Sequence, residues 1–485
     1  MPEEAALKNK TITNLLWRFM ERIGAQLVAF IVSIILARIL APEYYGLIAL
    51  VTVITSILNV FVDSGLGNAL IQKKGADDLD FSSVFYFNLL FCILLYLLLF
   101  FLAPLIARFY NNIQLTQVIR VLGITLIISG IKNVQQAYVS KNLIFRKFFF
   151  ATITGTVFAA IIGIIMAKKG FGVWALIAQQ LTNSFIDTCI LWIIVPWKPK
   201  LLFSLSRLKL LFNFGWKLLI ASLLNAIYLD IRQLVIGRVY TPSDLAFYNR
   251  GQTFPQFIGL NVNNSIDSVL FPVMSEVQND VERIKDMTRR AIKTSSYIMW
   301  PLLLGLAGVS RNIIVLILTN KWTPCIPYLI LACFCFGLEP LQTANLNAIK
   351  ALGRSDITLR LEIIKKTIST SIIFISMPFG VFAIAIGSAV YTVIASICNS
   401  YPNRNLLNYS YIEQIKDIFP SFFVALIMSV LIYIMPLQNF GMWLRLLIQI
   451  TSGAVFYILI TAVFHFESFL FLKNTLFELI RRRRK

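Results

Sequence analysis

Arg18, Glu21 and Arg22 are spaced i, i+3 and i+4, so a helix through them carries all three on one face. Two guanidiniums steadied by one carboxylate make a cationic patch that can line a cavity for an anion; the alternative is that they snorkel to a nearby water interface. Arg250, within Tyr248-Asn249-Arg250-Gly251-Gln252, falls about one and a half turns after the expected helix start near Leu245, which favours a cavity-lining place. Glu21, Asp63, Asp230 and Glu339 are candidates for H+ or Na+ coupling or for ion pairing. Arg120, Lys132, Asp187, Arg232 and Asp267 are further candidates for pairing. Gln135-x-Ala137 is echoed by Gln342-x-Ala344, and Gln135, Gln342 and Asn345, with Asn133, Gln136 and Asn347, suit either sugar hydroxyls or interhelical hydrogen bonds.

Other chemistry is poorly supplied. Asp78-Leu79-Asp80 resembles the two-aspartate metal motif of nucleotide-sugar glycosyltransferases, but no nucleotide-binding domain surrounds it and Lys73 and Lys74 precede it, so it reads as a solvated cytoplasmic loop. The six cysteines lie in or beside apolar runs, and His465 is the single histidine, so neither a metal centre nor a disulfide framework is indicated. There is no nucleotide-binding P-loop and no serine, cysteine or histidine constellation, and no cofactor is expected.

The elements that must carry these residues are set by composition. Of 485 residues 58% are hydrophobic and 14% charged, with a mean hydropathy of +0.76, which excludes an ordinary soluble domain. The chain reads as an all-α polytopic membrane protein. Apolar runs place spans near 16–40, 44–70, 81–107, 115–138, 147–167 and 171–195, then near 211–240, 245–274, 291–318, 324–349, 357–378 and 380–401, and finally near 418–436 and 440–464. Fourteen crossings follow, grouped as an N-terminal six-helix bundle (1–195), a cytoplasmic connector (196–210), a C-terminal six-helix bundle (211–405), two additional helices (406–464) and a basic cytoplasmic tail (465–485).

The net charge of +21 belongs to the loops rather than to a nucleic-acid face. If the N-terminus is cytoplasmic, most of the 44 lysines and arginines fall inside, and only Arg38, Arg108, Lys168, Lys169, Arg238 and Lys321 lie outside. Both termini are therefore expected in the cytoplasm. Glu3 and Glu4 before the first cations argue against a cleaved signal peptide. The tail Arg481-Arg482-Arg483-Arg484-Lys485 reads as a clamp for anionic membrane lipids or as a topology anchor.

The halves carry matching marks. Arg38 and Pro42 recur as Arg238 and Pro242, 200 residues on, each pair between two long apolar runs, and Gly172-Val173-Trp174-Ala175 is echoed by Gly380-Val381-Phe382-Ala383. Topology puts both arginines at external helix ends, as matching pivots or interface anchors rather than ligands.

Ala37-Arg38-Ile39-Leu40-Ala41-Pro42-Glu43-Tyr44-Tyr45-Gly46, Phe247-Tyr248-Asn249-Arg250-Gly251-Gln252, Val269-Leu270-Phe271-Pro272-Val273-Met274 and Gly170-Phe171-Gly172-Val173-Trp174-Ala175-Leu176 together resemble the bacterial polysaccharide exporters and O-antigen flippases of the multidrug/oligosaccharidyl-lipid/polysaccharide transporter superfamily. The lipopolysaccharide, colanic-acid and teichuronic-acid exporter branch is the most similar. The resemblance implies two six-helix bundles around a central cavity, two extra C-terminal helices, and transport of an undecaprenyl-pyrophosphate-linked glycan across the bacterial inner membrane by a monomer. Related lipid II flippases place cations of the first and eighth spans at the diphosphate; Arg18, Arg22 and Arg250 occupy comparable regions, although no motif fixes the correspondence. Two other functions compete: a cation-coupled multidrug exporter of the same superfamily, and a membrane polymerase or ligase of lipid-linked sugars. The exporter would prefer an acidic site, and the enzyme would need a sizeable external loop.

Overall fold

Proline and glycine punctuate the apolar runs into helices. The computed structural model describes residue 17 and residues 24–63, 65–437 and 439–483. Helix α1 (Gly24–Ile39) is followed by α2 (Pro42–Asp63), with the fixed φ of proline suited to the first helical position. The pattern returns at α9 (Leu205–Val239) and α10 (Pro242–Glu276). Leu40 N–H donates to Leu36 O at 2.8 Å in the first turn, and Tyr240 N–H to Ile236 O at 2.9 Å in the second.

Between these turns lie α3 (Leu66–Gln72), α4 (Asp78–Phe109), α5 (Gln114–Leu122), α6 (Ile124–Lys141), α7 (Arg146–Lys168) and α8 (Val173–Ile194). After α10 come α11 (Val281–Gly308), α12 (Ser310–Leu318), a 3-10 segment (Asn320–Cys325), α13 (Ile326–Gly337), α14 (Glu339–Ala351), α15 (Ser355–Ser376), α16 (Val381–Ser400) and the one-turn α17 (Asn403–Leu406). The last three helices are α18 (Tyr411–Ile434), α19 (Met442–Val463) and α20 (Glu467–Arg483). The glycines of the second sequence echo, Gly172 and Gly380, are the N-cap residues of α8 and α16, with φ of +55° and +106° that disfavour a side chain.

Several expected single spans are broken. The run expected over 44–70 stops at Asp63 and restarts at Leu66 after Gly65, whose φ and ψ (−98°, −82°) are not helical. Gly123 separates α5 from α6, and α11 meets α12 with a bend of 67°. Proline at the start of α14 restarts the helix after Leu338. Among the described residues nine helices are long and apolar enough to cross a bilayer, or ten if the bent α11–α12 pair is one span. Three more are long but too polar for that test: α8 has Gln179, Gln180, Asn183 and Asp187, α10 a series of asparagines and Asp267, and α15 carries Arg360, Glu362, Lys365 and Lys366.

Two compact units result, Met1–Ala246 and Phe247–Lys485. In the first, α7 lies on α8, α4 on α5 and α6, and α9 on α2. Leu70, Phe81, Phe85, Val134 and Trp197 form a buried cluster there. Glycine permits close approaches within this unit: a Cβ on Gly237 of α9 would overlap Leu50 Cδ2 on α2, one on Gly46 of α2 would overlap the Pro242 carbonyl at the start of α10, and one on Gly215 of α9 would come within 2.8 Å of the Gly65 carbonyl. In the second unit α11 packs along α18, and Trp300, Leu341, Tyr409, Met428 and Tyr457 share one core.

Candidate functional site

The polar residues form three groups, two in the first unit and one in the second. At one end of the first unit, Asp77 caps α4: its carboxylate accepts from Asp80 N–H at 3.0 Å, and Asp80 Oδ2 accepts from Asp77 N–H at 3.3 Å. The backbone hydrogen bond from Asp80 holds the Asp77 carboxyl below the usual range, against burial and with help from Arg207. Asp80 is fully buried; Lys73 Nζ donates to its two oxygens at 2.6 and 2.7 Å, and Arg207 Nη1 reaches both at 3.4 Å. Lys200 pairs with Asp78 at 2.6 Å.

The connector is thereby fastened to α4. Lys200 N–H donates to Ser82 Oγ at 3.0 Å, Ser204 N–H to Ser83 Oγ at 2.9 Å, and Trp197 packs its ring on Phe81. Asp78-Leu79-Asp80 is not the solvated loop expected from sequence. It is a helix start whose carboxylates are occupied by cations arriving from residues 73, 200 and 207, which leaves them poor metal ligands.

The second group lies along the helices of the first unit. Lys132 on α6 pairs with Asp187 on α8, and Asp187 is only 6% exposed. Asn88 Nδ2 donates to Asn133 Oδ1 at 3.2 Å, joining α4 to α6. Asp230 on α9 accepts from Ser56 of α2 and from Gln233, both at 3.1 Å. Gln135 is fully buried, with Nε2 donating to Trp197 O at 3.1 Å and Oε1 unpartnered. Arg18, Glu21, Arg22 and the Asp63 side chain lie outside the described residues.

The third group belongs to the second unit. Arg250 is 7% exposed, and its guanidinium lies 5.0 Å from the centre of the fully buried Trp322 ring, a cation–π arrangement. Asn345 Nδ2 donates to Leu341 O, Ser400 Oγ and Gln414 Oε1, and its Oδ1 accepts from Asn403 at 2.6 Å and Gln414 at 3.1 Å. That network consumes its bonding capacity and ties α14 to α16, α17 and α18. Gln342 accepts from Asn399 at 3.4 Å. Glu339 begins α14 at the helix break, with Oε2 buried and unpartnered. Asn347 donates to Asp267 on α10 at 2.8 Å.

Sequence reasoning missed one feature of this unit. Along α10, Asn261, Asn264, Ser265 and Ser268 are all exposed and recur at helical spacing, a polar stripe on a 35-residue helix. Asn261 Nδ2 and the Ser265 and Ser268 hydroxyls donate to carbonyls of their own helix, and the acceptor capacity left on these side chains, with the Asn264 amide, suits water or a hydrophilic cargo. Its signal was present as asparagine and serine at i, i+3, i+4 and i+7.

A sequence profile of polysaccharide biosynthesis proteins matches residues 35–327, more than half of the chain. The chain belongs to the polysaccharide biosynthesis protein family. Members of the family similar to it include the succinoglycan biosynthesis transport protein ExoT of Rhizobium meliloti (strain 1021), 23% identical over 362 residues that span 74% of this chain and 73% of ExoT. The lipopolysaccharide biosynthesis protein WzxC of Escherichia coli (strain K12) is 23% identical over 87% of this chain and 86% of its own. The teichuronic acid biosynthesis protein TuaB of Bacillus subtilis (strain 168) is 25% identical over 83% and 85%. The exporter branch read from the arginine–proline and Phe247–Gln252 motifs is borne out by these relatives.

Among solved structures, the lipid II flippase MurJ in an inward closed conformation shares the fold of this polysaccharide biosynthesis family protein with a TM-score of 0.73, at 16% identity, over 94% of this chain and 99% of that one. An inward-facing multidrug resistance transporter of the MATE family matches with a TM-score of 0.60, at 15% identity, over 82% and 99%. At such identities the likeness is one of fold. The family member described here is thus a multi-pass, all-helical membrane protein of polysaccharide biosynthesis.

Proposed function

We propose that this protein is a flippase that carries an undecaprenyl-pyrophosphate-linked oligosaccharide from the inner to the outer leaflet of a bacterial cytoplasmic membrane. The observation that carries this reading is the family match over residues 35–327 in a chain that shares its fold, almost end to end, with a lipid II flippase. The polar stripe of α10 supports it, because a glycan crossing the bilayer needs groups that replace its water. In this reading the chain crosses the membrane fourteen times with both termini inside, works as a monomer, and alternates access between its two sequence halves.

Arg18, Arg22 and Arg250 hold the diphosphate by charge-assisted hydrogen bonds. Outward movement of an anion from a negative interior is favoured by about 2.3 kcal/mol per charge per 100 mV. That drive operates unless the arginines travel with the cargo; Glu339, at a break in its helix, is then the group best placed to couple H+ or Na+.

Depletion of the protein, followed by mass spectrometry and leaflet accessibility of lipid-linked intermediates, tests the reading. One lipid-linked species should accumulate facing the cytoplasm. Unchanged intermediates with altered drug tolerance would overturn it in favour of a multidrug exporter. Combined Arg18→Ala, Arg22→Ala and Arg250→Ala replacement should abolish translocation in a correctly inserted protein, and an unchanged rate would refute the diphosphate assignment.

A further inference from the structure

Two of the motifs singled out in the sequence, Glu43-Tyr44-Tyr45-Gly46 and Gly170-Phe171-Gly172-Val173-Trp174, have no part in the proposed diphosphate site. In the first unit they meet. The start of α2, the start of α5 and the α7–α8 turn enclose a cleft of about 220 Å³, at the helix ends opposite the Asp80 cluster. Tyr44, Phe171 and Trp174 supply aromatic rings, and Gln114 and Gln117 project from the first turn of α5.

The backbone of this turn is specialised. Gly172 has φ +55° and ψ −125°, and a Cβ there would lie 3.0 Å from Tyr44 Cζ, so the tyrosine ring rests directly on the glycine. Three of the turn's backbone donors are spent internally, Gly170 N–H on Ala167 O at 3.1 Å, Phe171 N–H on Met166 O at 3.2 Å and Trp174 N–H on Phe171 O at 3.1 Å. The side chains are not spent: among the described residues, Tyr44, Gln114, Gln117 and Trp174 make no protein hydrogen bond. The echoed motif behaves differently, since Phe382 packs its ring against Tyr328 at 6.2 Å in the second unit whereas Trp174 has no ring partner.

We propose that this cleft is a carbohydrate-binding site that holds one sugar residue of the glycan on the external face. The inference rests on the flippase reading for which face is external and for the source of the sugar. A pyranose offers an apolar C–H face for an aromatic ring and a belt of hydroxyls that both donate and accept. The two glutamine amides, the indole N–H and the phenol match that belt. At about 220 Å³ the cleft is smaller than a site for a drug-sized ligand, which fits a single residue rather than a chain.

The test is saturation-transfer NMR on the full chain in nanodiscs, with the methyl glycosides of glucose, galactose, N-acetylglucosamine and glucuronic acid as probes. At least one probe should receive saturation at its ring protons, with binding weakened about tenfold or more by Trp174→Ala, restored by Trp174→Phe, and unchanged by Trp443→Ala at an exposed position in the first turn of α19. Gln117→Ala should weaken binding severalfold without lowering thermal stability. Absence of saturation with every probe overturns the proposal, as does equal binding by the wild type and Trp174→Ala, which would mark Trp174 as an interfacial belt residue only. Translocation is measured in parallel: sugar binding that depends on Trp174, in a protein that moves no lipid-linked glycan, upholds the cleft and refutes the flippase reading, and translocation without sugar binding does the reverse.

Discussion

Replacing one member of the Lys132–Asp187 pair strands the other among membrane helices. The Asp187 side chain is 8% exposed and that of Lys132 22% exposed, and Asp187 Oδ1 has no partner even with the pair intact. Removing one partner of a buried pair costs about 3–5 kcal/mol, because the charge left behind keeps its desolvation cost without compensation. The two single variants should therefore differ. Lys132→Ala leaves the more deeply buried carboxylate and belongs at the upper end, about 4–5 kcal/mol. Asp187→Ala leaves a lysine long enough to reach toward water and belongs near 3 kcal/mol. Because the pair is incompletely satisfied, replacing both residues with leucine removes two desolvation costs and should be within about 1 kcal/mol of wild type. Reversible unfolding in SDS, followed by tryptophan fluorescence, measures all four proteins. A double variant as unstable as Lys132→Ala alone, or a neutral Lys132→Ala, would refute the reasoning that α6 and α8 are joined by a buried, mutually dependent pair.

Other expectations follow from particular contacts. Gly46→Leu forces atoms into the Pro242 backbone and should cost at least about 1–3 kcal/mol, with a loss of folded protein on size exclusion that Glu43→Leu, at an exposed neighbouring position, does not show. Asn345→Leu leaves Asn403 and Gln414 without their shared partner and should destabilise the second unit by about 1–3 kcal/mol, read by the same SDS titration. Glu467, on the exposed start of α20, is held below the ordinary glutamate range first by its hydrogen bond from Lys293 and then by that lysine's charge, with Arg289 and Asp417 also facing it. A depressed folded-state value means the contact supports docking at neutral pH and loses that contribution as pH falls through the folded value. A fluorophore at Asn474 should report loosening of α20 in acid, and Glu467→Gln should remove that transition; an unchanged midpoint in the variant counts against the contact.

What the sequence made legible was mainly local. The repeated turns around Pro42 and Pro242, and the glycine starts of α8 and α16, are written in residues that restrict their own backbone, so they could be read without knowing any partner. Arg250 was found as a polar residue inside an apolar run, but its seat beneath Trp322 depends on a segment from a distant loop. Asp80 was misread for the same reason: beyond its neighbour Lys73, its burial is created by Arg207 and by a connector that follows α8. Asn345 looked available for sugar because nothing nearby in sequence announced Asn403 and Gln414. The α10 stripe is legible by its periodicity alone, as Asn261, Asn264, Ser265 and Ser268.

The core of the second unit also dictates an order of assembly. Trp300 of α11 packs on Phe422 of α18 at 4.7 Å, and Tyr297 of α11 exchanges hydrogen bonds with Thr461 and Tyr457 of α19, at 2.9 and 3.0 Å. During synthesis the first unit can close as soon as its own helices are in the bilayer, whereas α11 must wait for Phe422 to reach Trp300 until about 120 further residues, and for Tyr457 to reach Tyr297 until about 160, have left the ribosome. For that interval a chaperone, the insertion machinery or lipid has to cover this face, and a ribosome stalled before Tyr457 would leave a half-built unit displaying it, a ready substrate for membrane quality control.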